Sequence, residues 1–164
     1  DLRWFHYLSG ITWIGLLYYF NFVQVPAMAA ATADKEPGPA AIGKYVAPLA
    51  LVWFRWGAVV TWVTGAWYLQ DHGMLHAAFA LQEGYTRGIG IGAWLGTIML
   101  FNVWVLIWPN QQKVLGLNKY ASSPASPDEI NQAKKTALLA SRTNTVLSIP
   151  MWLFMGSGHN LLGI

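Results

Sequence analysis

The chain has 164 residues, of which 55% are hydrophobic and only 10% charged, with ten tryptophans, no cysteine and a formal net charge of +3. Soluble domains carry about a quarter charged residues, so this composition points to a membrane and, at this length, to one domain. Without cysteine there are no disulfides, no thiolate metal site and no haem attached through Cys-x-x-Cys-His, and no basic tract interleaved with aromatics argues for nucleic acid.

The first stretch, Trp4 to Ala33, holds no Asp, Glu, Lys or Arg over 30 residues. A bilayer core about 30 Å thick needs roughly 20 apolar residues at 1.5 Å each, and a single helix satisfies its own backbone there. A span is therefore expected over about residues 4–29, losing its pattern near Pro26. With no basic leader and no small-residue cleavage site ahead of it, it reads as a mature helix rather than a secretory signal. A polar link with Asp34-Lys35-Glu36-Pro37-Gly38-Pro39 follows. The second span, about 45–69, contains Trp53, Trp56, Trp62, Trp67 and one charge, Arg55, with Pro48 in its first turn. A semi-polar segment with His72, His76 and Glu83 leads to Arg87. The third span, about 88–109, begins with Gly88, Gly90, Gly92 and Gly96, small residues that let neighbouring helices approach closely, and stops at Pro109-Asn110. A Ser/Pro-rich link precedes a helix capped by Ser126 or Asp128. It starts basic (Lys134, Lys135, Arg142) and turns apolar from Thr143 through Pro150 to His159, giving a fourth span over about 136–159. The expected fold is all-α: one four-helix transmembrane domain over residues 1–164, up-down-up-down.

Lysine and arginine fix the orientation. Lys35, Lys44, Lys113, Lys119, Lys134 and Lys135 fall in the first and third links, against Arg3 and Arg87 on the other side. The first and third links are expected in the cytoplasm of a bacterial inner membrane, with both termini periplasmic. His6, His72, His76 and His159 then all share the outer face. His6 and His159 each lie roughly 14 Å from mid-membrane, a matched depth.

An imidazole inside a span is a functional hypothesis, because polar groups in hydrocarbon are costly. Two of them on neighbouring helices, among Trp, Phe and Met, suit axial ligation of a b-type haem in an apolar slot, with His6 and His159 as ligands. A copper or zinc site drawn from His6, His72, His76 and His159 also fits imidazole chemistry, with Met155 the one soft ligand nearby. Arg55 and Arg142 are candidates for an anionic or carbonyl group, a haem propionate or a quinone head; Asn102 reads more readily as an interhelical hydrogen bond. Trp13 and the other tryptophans read as packing or interface belt.

Several blocks carry a family resemblance: Leu2-Arg3-Trp4-Phe5-His6 through Gly10-Ile11-Thr12-Trp13-Ile14-Gly15, Trp53-Phe54-Arg55-Trp56, and Leu95-Gly96-Thr97-Ile98-Met99 with Asn102-Val103. Trp108-Pro109-Asn110-Gln111-Gln112-Lys113 and Ser148-Ile149-Pro150-Met151 through Met155 and His159 extend it. Together they resemble the membrane domain of PuuD-type urate oxidases (urate hydroxylases). The resemblance implies an integral membrane protein tied to respiratory electron flow, with His6 and His159 on the family's histidine positions. It also implies a short form without the cytochrome c domain, and so an oxidoreductase component rather than a complete enzyme. Apart from the resemblance, Arg55, Arg142, Trp13 and Asn102 are the further residues expected to bind the cofactor. At Gly90 and Thr143 the family pattern would place further histidines. The expected partners are the lipid bilayer, other membrane subunits or a cytochrome c-type protein, and a quinone. The alternative is a cofactor-free accessory subunit packing its tryptophan faces against partner helices.

Overall fold

The computed structural model describes residues 1–117 and 124–157, and every regular element in them is helical. Among the described residues there are five continuous helices: α1 (Leu2–Asp34), α2 (Ile42–Asp71), α3 (Leu75–Phe79), α4 (Tyr85–Val114) and α5 (Pro127–Ser157). Of these, α1, α2 and α4 are 33, 30 and 30 residues long and apolar enough to cross a membrane. The first three expected spans thus lie inside longer helices. The fourth, expected over 136–159, runs past the described residues, and α5 is polar over its first half.

Helix α1 runs past Pro26, as expected, and beyond the expected end at about residue 29 to Asp34. A proline lacks an N–H and its ring collides with the carbonyl four residues back, so an α-helix must break or widen there. Here it widens. π-helical turns occupy Tyr19–Gln24, Ile42–Val46 and Asn102–Ile107, and each ends two residues before a proline: Pro26, Pro48 and Pro109. Near two of these turns an asparagine side chain supplies an extra donor. Asn21 Nδ2 donates to the Leu17 carbonyl at 2.9 Å and Asn110 Nδ2 to the Leu106 carbonyl at 2.7 Å.

Helices α4 and α5 form the most extensive contact, an antiparallel hairpin, and α1 and α2 form a second. Small residues set the α1–α2 spacing. A side chain at Gly57 would sit 3.4 Å from the Trp13 backbone nitrogen, so glycine allows the two backbones to approach. Trp13, Leu17, Phe54 and Ala58 fill the seam, and Met99, Val103, Ile107, Ala140 and Met151 complete the core between the hairpins.

Polar pairs cross this core. Asn102 Nδ2 donates to Asn144 Oδ1 at 2.8 Å, and Asn144 Nδ2 donates to the Met99 carbonyl at 2.9 Å. Ser148 Oγ donates to the Thr145 carbonyl, which makes the Tyr18 hydroxyl the donor in its 2.8 Å bond to Ser148. Asn21 reaches Ser141 Oγ at 2.8 Å. Asn102 is thus an interhelical tie, as its position in the sequence suggested.

Helix α5 opens with a capping box. The Ser126 N–H donates to Glu129 Oε2 at 2.8 Å and the Glu129 N–H donates to Ser126 Oγ at 3.3 Å, so Ser126, not Asp128, is the cap. The Ser126 backbone N–H first, then its hydroxyl, holds the Glu129 carboxyl below its ordinary value.

Two outcomes are expected. Asn144→Ala, which leaves Asn102 Nδ2 without its partner and removes one donor from the Met99 carbonyl, lowers stability by about 1–2 kcal/mol, read from unfolding in detergent, while Tyr18→Phe costs less. Because the Glu129 value is lowered on folding, its contribution is present above the unfolded carboxylate value and lost as pH falls through the lowered one. Hydrogen exchange at the start of α5, corrected for intrinsic rate, should therefore rise in acid, and Glu129→Gln should remove that dependence.

Candidate functional site

Between the hairpins, at the end of the molecule that carries His6, lies a cavity of about 430 Å³. That is within the size of small-molecule and cofactor sites, roughly 300–1,000 Å³. Its walls come from α1, α2, α4 and α5, with Phe79 of α3 at one side. The lining is mainly apolar, with Trp13, Leu69, Ile89, Met151 and Met155 among it.

His6 sits in this wall, on the first turns of α1. Its Nδ1 lies 2.8 Å from the Thr61 carbonyl oxygen of α2. A carbonyl can only accept, so Nδ1 carries the proton and donates, which leaves Nε2 with a free lone pair. Opposite the ring is Gly65, where any Cβ would lie 2.8 Å from His6 Cε1 and 3.0 Å from Nδ1. Gly65 is therefore the space that the imidazole occupies. Metal-bound histidines characteristically donate their second N–H to a carbonyl or carboxylate, which fixes tautomer and ring plane; His6 meets that condition.

Other glycines shape the rest of the wall. Gly96 borders the cavity with nothing within 4 Å of where its Cβ would stand. Gly92 makes room for Met155, whose Cγ would be 2.9 Å from an added Cβ. Arg3, with Tyr7 and Tyr85, lines the cavity near the chain start and supplies its one cationic side chain. Trp13 is buried, lines the cavity, and has an Nε1 without a hydrogen-bond partner. An apolar slot, a preset neutral imidazole and a nearby arginine are the features a haem with its propionates requires, so the residues present fit that group.

The remaining candidate residues fall elsewhere. His159 lies outside the described residues. His72 and His76 are at the same end as His6 but do not line the cavity; His72 Nδ1 donates to the Tyr68 carbonyl at 2.8 Å and its ring packs on the Tyr68 ring, centroids 4.1 Å apart. Among the described residues no three His, Asp or Glu side chains gather as a metal set. Arg142 is exposed on α5, and Asn102 is engaged with Asn144. Arg55 lies ten residues before Gly65 on α2, roughly 15 Å along the helix from the His6 level. Its guanidinium stacks on Trp108, 3.6 Å from the ring centre.

The positions where a family histidine was expected have clear environments. Gly90 packs directly under the Ala78 backbone carbonyl of α3, which leaves no room for a side chain. Thr143 is exposed. Helix α3 itself was not foreseen. It is held against α4 by the Trp94 Nε1–H, which donates to the Phe79 carbonyl at 3.0 Å, and by the Phe79 ring edge-on to Trp94. Thr61, Gly65 and Arg3 were also missed. The signal for two of them was the Gly57, Thr61, Gly65 stripe, small residues four apart on one helix face.

Gly65→Ala should leave the fold intact and expel the His6 ring, since a side-chain end can yield where backbone cannot; the Nδ1–H signal of labelled His6 should be lost from the protein's NMR spectrum. Gly90→Ala meets backbone instead and should destabilise by about 1–3 kcal/mol.

Residues 73–162 match the sequence model of the family described as urate oxidase N-terminal. No curated protein and no solved structure matches the chain. The matched region takes in α3, α4 and α5, more than half of the sequence, and so the chain belongs to the urate oxidase N-terminal family.

Proposed function

We propose that this protein is a membrane-embedded b-haem electron carrier or subunit, with the haem in the cavity beside His6. The observation that carries the reading is the His6–Thr61 bond at 2.8 Å, which in the neutral ring places the proton on Nδ1 and the lone pair on Nε2, in the wall of an apolar cavity. Three apolar helices of spanning length support the membrane setting. The apolar half of α5 supplies the fourth crossing in this reading, making an up-down-up-down bundle. The excess of Lys and Arg in the first and third links puts them in the cytoplasm of a bacterial inner membrane and both termini outside.

In this reading His6, through Nε2, and His159, four residues beyond Met155 in sequence, would hold the haem. Bound haem would supply reversible one-electron chemistry at its iron. The protein's own residues do the rest. Thr61 holds the His6 proton on Nδ1 and so fixes the ligand's tautomer. Trp13, Leu69, Ile89 and Met151 keep water from the slot. Arg3 offers a cation for propionates, a role that Arg55 and Arg142 do not share, because neither lines the cavity. The partner at the His6 end is a cytochrome c-type protein or a neighbouring membrane subunit, with a quinone as donor. Urate oxidation as a complete activity is not part of this reading.

A reduced-minus-oxidised visible spectrum of the purified protein tests it. The expected result is a b-type alpha band, lost in His6→Ala and in His159→Ala and reduced in Gly96→Phe, which fills the slot. Arg142→Gln should retain the band in full. No band in folded wild-type protein would overturn the haem reading in favour of a cofactor-free subunit, and a band that survives His6→Ala would move the ligand elsewhere.

A further inference from the structure

Arg55 is the one arginine within the three apolar helices away from their ends, and its position is well defined. Its guanidinium lies 3.6 Å from the Trp108 ring centre and 6.0 Å from that of Trp104, and Trp56 packs edge-on to Trp104 with centroids 5.4 Å apart. Trp108 directly precedes Pro109-Asn110-Gln111-Gln112-Lys113, the polar end of α4. The stack therefore draws the guanidinium from its Cα near the middle of α2 toward the polar end of α4, on the side opposite His6.

Nothing in the described protein neutralises it. Residues Ile42 to Gln70 of α2, all of α4, and α1 from Leu2 to Ala33 contain no Asp or Glu. Among the described residues the single salt bridge is Arg87–Glu83, and Glu129 is engaged by Ser126. Nε and Nη1 of Arg55 are buried without a hydrogen-bond partner, and so is the neighbouring Trp104 Nε1. A cation with unused donors beside hydrocarbon is costly, and cation–π contact with Trp108 offsets only part of that cost. The missing component is an acceptor that carries negative charge. Around the site the surface is apolar: Trp53, Trp56, Phe101 and Val105 are all exposed, a surface for acyl chains.

We infer that Arg55, Trp104 and Trp108 form a binding site for the headgroup phosphate of an anionic phospholipid in the leaflet on the side opposite His6. Arginine's planar fork pairs with phosphate oxygens through charge-assisted bonds, and the tryptophans hold it ready for them. This rests on the membrane reading above but not on the haem.

The test uses the full chain purified in detergent, with phosphatidylglycerol or phosphatidylcholine added, followed by thermal unfolding and by native mass spectrometry that counts retained lipid. Phosphatidylglycerol is expected to raise the unfolding midpoint of wild type more than phosphatidylcholine does, and Arg55→Gln should weaken its retention about tenfold. Arg55→Lys, which keeps the charge but not the fork, should fall between them and serves if Arg55→Gln does not fold. Lys135→Gln, an exposed charge on α5, should match wild type. Equal stabilisation of wild type by both lipids, or undiminished retention in both Arg55 variants, would overturn the site. So would full stabilisation by inorganic phosphate alone, which would make it a site for a free anion. A chain that washes out of carbonate-treated membranes would instead overturn the membrane reading itself.

Discussion

A polar group in an apolar environment must find its partner inside the protein, and this constraint accounts for most of the architecture. Backbone groups meet it by forming helices, and ahead of Pro26, Pro48 and Pro109 the helix widens into a π turn instead of ending. Side chains meet it in pairs that cross between helices: Asn102 with Asn144, Tyr18 with Ser148, Asn21 with Ser141, Trp62 with Thr97. Apolar packing alone gives little direction to helices that lipid would cover equally well, so these pairs and the close glycine contacts set which helix lies beside which.

The same rule explains the cavity. Gly57, Thr61 and Gly65 bring α2 against α1 closely enough for the Thr61 carbonyl to take the His6 proton. The two hairpins touch each other less than the helices within each do, and the space left between them at the His6 end is lined by glycine, methionine and aromatic rings. Arg55 is the exception to the pattern. It has aromatic company but no acceptor, and an unmet donor in such a place asks for a ligand from outside the chain.

Membership of the urate oxidase N-terminal family rests on residues 73–162. His6, Thr61 and Gly65 lie outside that region, in the first hairpin, while Gly92, Gly96 and Met155, which complete the cavity, lie within it. The proposed cofactor site is therefore built jointly by the matched segment and by the hairpin ahead of it. At Gly90 the Ala78 carbonyl fills the space that a histidine would need, so any imidazole chemistry in this chain is carried by other positions.

The sequence by itself determined the helical class and the three long apolar segments, and narrowed the α5 cap to Ser126 or Asp128, because charge-free length and local hydrogen bonding are properties of contiguous residues. It also indicated His6 as a residue of interest, since one ionisable ring within an apolar run is conspicuous without any fold. It did not show that α1 widens ahead of Pro26, because widening a helix depends on carbonyls finding new partners such as Asn21. Nor did it show that Arg55 stacks on Trp108, or reveal that Gly65 makes room for the imidazole and Gly90 for a carbonyl. Those outcomes depend on which helix faces are pressed together. Two glycines look alike in a sequence, and only the atoms packed against them decide what each one is for.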